Sequence, residues 1–191
     1  MEKHRNPTGV RGSRARDIFF KPKGSVQIVA KNVKTGEEKV IHEDPNLVVT
    51  LARGDMSRLI AGAYTDAVPA TTFAHLKART VSKMSWGTGG HDPLNPTNPI
   101  PPTAGDTGLA AEIGAVGKKT VTYDFPNSTT VRFIGSLDET EANGEGISEA
   151  GLWTEDNPDT PGTNILFARK TFGLITKTAD FIFEFRWRII F

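Results

Sequence analysis

The clearest hydrophobic pattern lies at the end of the chain. Phe181, Phe183, Phe185, Trp187, Ile189 and Phe191 recur with a period of two, while Ile182, Glu184, Arg186, Arg188 and Ile190 take the opposite face. That period is a β-strand's, so this run predicts a strand built into a sheet. Val26, Ile28 and Ala30 alternate in the same way. Lys34-Thr35-Gly36-Glu37 then reads as a turn, and Lys39-Val40-Ile41 as a return strand, which together predict a hairpin. Further strands are expected over Val81–Trp86, at Val121, Tyr123 and Phe125, at Val131 and Phe133, and over Ile147–Trp153 and Ile165–Phe172. Asn127-Ser128, Asn143-Gly144 and Pro161-Gly162 punctuate them. Only one stretch has a helical period: Met56, Leu59, Ile60 and Ala63 share a face, which predicts a helix over 51–63, with Asn46 available as a cap ahead of it. Short strands separated by turns predict an all-β domain, a β-sandwich of jelly-roll-like form, with that one helix.

Two regions stand outside the alternation. Residues 87–106 open with Gly87-Thr88-Gly89-Gly90 and hold Pro93, Pro96, Pro99, Pro101 and Pro102. Proline at that density argues against helix and ladder pairing and predicts a stiff, extended loop. Loops of this length in a small domain are commonly functional. Residues 1–24 form the second region. The first 17 lack any apolar period, and Ile18, Phe19 and Phe20 then make a short apolar plug between basic flanks. The expected organisation is an extended basic arm over 1–24 and a single β-domain over 25–191.

Charge sharpens that division. The 191 residues carry a formal +1. Seven Lys/Arg against two Asp/Glu give the arm +5, so the other 167 residues carry −4. Such an arm could order on a neighbouring subunit, with Phe19 and Phe20 as anchors and Arg11, Arg14 and Arg16 as charged contacts. It could also touch phosphates. No aromatics interleave its arginines, however, the body is acidic, and no nucleic-acid-binding motif occurs, so nucleic acid is not an expected partner. No apolar run is long enough for a helix to span a membrane.

Candidate chemistry is sparse. With no cysteine, thiol catalysis, disulfides, Cys-ligated zinc and iron–sulfur clusters are all excluded. The four histidines, His4, His42, His75 and His91, lack metal-ligand spacing, and His42-Glu43-Asp44 would alternate across a strand. The Gly87–Gly90 turn could offer amides to a phosphate, but Pro93 and Pro96 follow where a helix would be needed. Asp138, Glu139, Glu141 and Glu145 miss the calcium-loop pattern and read as a solvated turn. No catalytic residue, metal or cofactor is therefore expected, nor an enzyme. Glu149 is the polar exception in an apolar strand. A carboxylate there needs a partner, and Arg169 in the next strand is the candidate, as a structural ion pair. On sequence alone, exchanging the two charges should recover folding lost in either single reversal.

A series of blocks carries a resemblance: Asn46-Leu47-Val48-Val49, Arg53-Gly54, Leu59-Ile60-Ala61-Gly62, Met84-Ser85-Trp86-Gly87-Thr88-Gly89-Gly90, Pro101-Pro102-Thr103, Asp106-Thr107-Gly108-Leu109 with Glu112-Ile113, Glu141-Ala142-Asn143-Gly144, Ile147–Trp153, Leu166–Lys170, Ile175–Thr178 and Trp187–Phe191. In this order they resemble a family of small virion structural proteins of tailed bacteriophages, from about Asn46 to the end. The resemblance implies a structural subunit of the phage particle, made in the bacterial cytoplasm. It would form a homo-oligomeric ring or decoration in the neck or collar and contact other neck or tail proteins. Tail-fibre attachment and the baseplate are the alternative placements. The expected subunit contacts are the arm and, in the loop, Pro99, Pro101 and Pro102. A receptor- or carbohydrate-binding module is the reading from another class; it would need an aromatic platform, for which Trp86 or Trp153 are the candidates.

Overall fold

The computed structural model describes residues 23–48, 79–156 and 162–190. The expected helix over 51–63 and all of the arm before Lys23 lie outside the described residues, among which there is no helix. The described residues form eleven strands: β1 (Lys23–Asn32), β2 (Glu38–Val48), β3 (Val81–Gly87), β4 (His91–Asp92), β5 (Asn95–Pro99), β6 (Lys119–Thr120), β7 (Thr122–Asn127), β8 (Thr130–Leu137), β9 (Gly146–Thr154), β10 (Leu166–Thr176) and β11 (Phe181–Ile190). Nine form one sheet in the order β6-β3-β9-β10-β2-β1-β11-β8-β7, with every pairing antiparallel. The all-β class expected from the alternation is what the structure has.

The predicted hairpin is β1–β2. Asn32 builds its turn: its carbonyl accepts Gly36 N–H, and its side-chain oxygen accepts the N–H groups of Lys34 and Thr35. Gly36 sits at φ 71°, in the left-handed region that glycine enters without a Cβ penalty. β11 alternates as predicted, with Phe183, Phe185, Trp187 and Ile189 buried.

The sheet bends back until its two ends nearly meet. β6 and β7 are consecutive in the chain, separated only by Val121. β6 pairs with β3, Val121 N–H donates to Ser82, and β7 pairs with β8. Residues 119–127 thus run from one end of the ladder to the other. On the opposite side β2 does the same, pairing along β1 and, through Leu47 and Val48, with β10. The two halves face each other across the core. Trp86 of β3 lies 5.6 Å from Phe185 of β11, and Phe172 of β10 lies 6.3 Å from that ring. Gly135 of β8 makes room for Met84, since a Cβ there would stand 2.9 Å from the sulfur.

The proline-rich region departs from expectation. It does pair, as the β4–β5 hairpin, which packs beside β10. Ladder hydrogen bonds in an antiparallel pair fall on alternate residue pairs. Ile100 N–H donates to Gly90, so the next pair, His91 and Pro99, is a non-bonded one, where a missing proline N–H costs nothing. Pro93 falls in the tip, where Leu94 N–H donates to the Asp92 side chain.

Candidate functional site

Strand β9 is buried on both faces. By the period of two, Ala150 and Leu152 face the core, while Glu149, Gly151 and Trp153 face outward. That outward face is covered by residues 103–113, which run across it as a strap. The strap is pinned to the edge of β3: Thr88 N–H donates to Ala111, and Ile113 N–H donates to Trp86.

Glu149 is the main fixing point. Its side chain is wholly inaccessible. One carboxylate oxygen accepts N–H groups from Ala111 (2.8 Å) and Gly89 (3.2 Å). The other accepts from Ala110 N–H (3.1 Å) and from Arg169 through Nε (2.9 Å) and Nη2 (2.5 Å). Arg169 Nη1 in turn donates to Asp106 Oδ2 at 2.7 Å. Asp106 also accepts from the backbone and hydroxyl of Thr103. A buried carboxylate normally carries a large desolvation cost; here five donors oppose it. Burial alone would raise the Asp106 pKa, but the hydrogen bonds from Thr103 and Arg169 outweigh it and hold the group below its usual value. Burial likewise opposes the charge on Arg169, yet its two carboxylate partners raise its pKa.

The Gly87–Gly90 turn belongs to the same cluster. Its amides are taken by protein acceptors: Gly89 N–H by Glu149, and Gly90 N–H by Ser148 Oγ at 2.9 Å. A Cβ on Gly90 would collide with the Ser148 carbonyl oxygen, which explains the glycine. His91 completes the contact, with Nδ1 2.9 Å from Ser148 Oγ.

The acidic turn is also organised by protein contacts. Glu141 accepts from Lys119 Nζ at 2.6 Å and from Asp138 N–H at 2.8 Å. Behind it the side chain of Lys177, fully buried, donates to Asn143 Oδ1 at 3.1 Å. Desolvation lowers the Lys177 pKa against the pull of Glu141, Asp138 and Glu139. Among the described residues no group of three His, Asp or Glu side chains is arranged to hold a metal. His42 is half-buried against Phe172, 5.2 Å between rings; Asn46 lies within β2, its amide against Gly24 without a hydrogen-bond partner.

The remaining sequence candidates divide. Glu149 and Arg169 are brought together, with Asp106 as a third member that only the fold reveals. Pro99 is half-buried opposite His91, Pro101 is exposed and Pro102 half-buried. Arg11, Arg14, Arg16, Phe19 and Phe20 lie outside the described residues. Trp86 and Trp153 are both buried, and Trp153 Nε1 donates to Ser85 Oγ at 2.8 Å. The exposed aromatics are elsewhere. On β7, Val121's alternation partners Tyr123 and Phe125 are 63% and 70% exposed, with ring centroids 5.8 Å apart and nearly perpendicular. At the tip of β4–β5, Leu94 is 96% exposed. No protein-family profile, curated protein or solved structure matches the chain.

Proposed function

We propose that this chain is a structural subunit of a tailed-phage particle, assembling with copies of itself as a ring or decoration in the neck or collar. The observation that supports this reading is where the resembling blocks fall. Met84–Gly90, Asp106–Leu109 with Glu112-Ile113, Ile147–Trp153 and Leu166–Lys170 are far apart in sequence, yet all four meet at or beside the Glu149–Arg169–Asp106 network. Four of the eleven blocks therefore coincide with one architectural unit, a strapped sheet, and that coincidence supports the reading. The two facing halves of the sheet stand, on this reading, for the jelly-roll-like sandwich of the expectation.

A strapped, hydrogen-bonded sheet end suits a part that holds shape while neighbours bear on it. Rigid loops lose little conformational entropy on association, so contacts repeated around a ring accumulate. Tail-fibre attachment or the baseplate would use the same properties at another place in the particle. The direct test is the full chain in solution, followed by light scattering and negative-stain imaging, with labelled antibody locating the protein in the particle that encodes it. Closed rings, and label at the head–tail junction, are the expected results. A monomer at all concentrations, or label absent from purified particles, would overturn the reading.

A further inference from the structure

We propose that Tyr123 and Phe125 form the seat for residues Ile18–Phe20 of a neighbouring copy of this chain. The inference rests on the assembly reading and supplies its contact. Tyr123 is paired in register with Phe133, so both side chains lie on the sheet's core-facing side, and their rings are 6.4 Å apart. Phe133 is buried, whereas Tyr123 and Phe125 continue the same apolar face out past the closed part of the sheet. Among the described residues no strand or loop covers them, so they extend the core face rather than stand as scattered surface residues. The strand carrying them is also open. Among the described residues β7 pairs only with β8, and the pairing toward β3 stops at Val121. An extended segment could therefore lie along the edge and set aromatic side chains against the two rings.

The segment Ile18-Phe19-Phe20 is the one apolar triplet in the 22 residues that precede the described chain. Where that stretch joins the fold decides whose ledge it reaches. Lys23 pairs with Ile190, Ile190 with Thr130, and Thr130 with Asn127, so the arm departs level with the end of β7 but three strands away. Three strand spacings are about 14 Å along the sheet. Phe20 lies three residues before Lys23, a reach of about 10 Å fully extended. A chain's own triplet would be drawn taut across two strands and could not lie along β7. A neighbouring copy has no such tether.

The absence of native cysteine makes the test clean. Lys21→Cys and Thr122→Cys single variants are mixed and treated with a short bis-maleimide linker, beside light scattering of the untreated full chain. A mixed cross-linked dimer is expected, falling about tenfold or more when Phe19 and Phe20 are both changed to Ser, and equally with Tyr123→Ser and Phe125→Ser. The ledge substitutions are at exposed positions, so they should leave the fold intact, which circular dichroism of each variant checks. Oligomers without the mixed product would overturn the seat while leaving the assembly reading standing. A linkage within single chains of the Lys21→Cys/Thr122→Cys double variant, with no mixed product, would assign the ledge to the chain's own arm and overturn the proposal. A monomeric full chain would remove the assembly reading and this inference with it.

Discussion

Replacing Glu149 with Gln changes one atom and tests the network at its centre. The carboxylate presents two oxygens to five donors, three backbone amides and two guanidinium N–H groups. A glutamine offers one oxygen and an NH2. Whichever way it turns, the NH2 meets either the Ala111 and Gly89 amides or the Ala110 amide and Arg169, donor against donor. Breaking a buried pair from one side costs about 3–5 kcal/mol. Asp106 remains as a counter-charge 2.7 Å from Arg169, so the lower end applies, about 3 kcal/mol. For a domain of this size that lowers Tm by about 6–12 °C. Urea denaturation of Glu149→Gln, Arg169→Met and the double variant gives both the loss and the coupling, which should reach about 2 kcal/mol. The charge exchange Glu149→Arg/Arg169→Glu should not recover stability, contrary to what the sequence suggests. An arginine at 149 would face three N–H donors, and a glutamate at 169 would face Asp106. A Glu149→Gln loss below about 1 kcal/mol, or full recovery in the exchange, would refute the network as the strap's fixing point.

Three other outcomes are expected. His42 has its pKa lowered by burial, with Asp44 opposing and Lys170 adding to the effect. The unfolded chain therefore binds that proton first, and stability should be full above about pH 6.5 and fall as pH drops toward the folded value. His42→Gln should flatten that limb in pH-dependent denaturation, and an unchanged slope would assign it elsewhere. Gly90→Ala should destabilise by about 1–3 kcal/mol, because the Ser148 carbonyl must move to admit the methyl group; thermal melting reads this directly. All three tryptophans, Trp86, Trp153 and Trp187, are buried, so native emission should be blue-shifted and move to the red in one step on unfolding; a red-shifted native spectrum would contradict the core.

The alternation of β11 and the β1–β2 hairpin were legible because side-chain period and turn chemistry are local properties. Glu149 was legible for the opposite reason, as a charge that broke an apolar run. Its partner Arg169 could be guessed from the adjoining strand, but Asp106, Ala110 and Ala111 could not. They reach Glu149 only because the strap crosses the sheet, and no periodicity encodes a crossing. Tyr123 and Phe125 show the limit of the pattern itself. Their period gave the strand correctly, but the same period holds whether the covering layer is present or stops at Val121. The prolines misled because their density hid the register. Pro99 is harmless where it stands, opposite His91, and would break the ladder one position along.

The pairing of Lys23 with Ile190 has a mechanical consequence. The two strands are antiparallel neighbours and their outer ends lie side by side. Tension applied between those ends acts across the ladder, not along it. The rungs then carry the load one at a time, beginning with Lys23–Ile190, and the β1–β11 seam opens like a zip at low force. Tension between Lys23 and Phe181, at the opposite end of the same ladder, by contrast acts along the strands and has to shear its rungs together. A subunit gripped by the two outer ends would yield from the edge inward, while one loaded between Lys23 and Phe181 would hold.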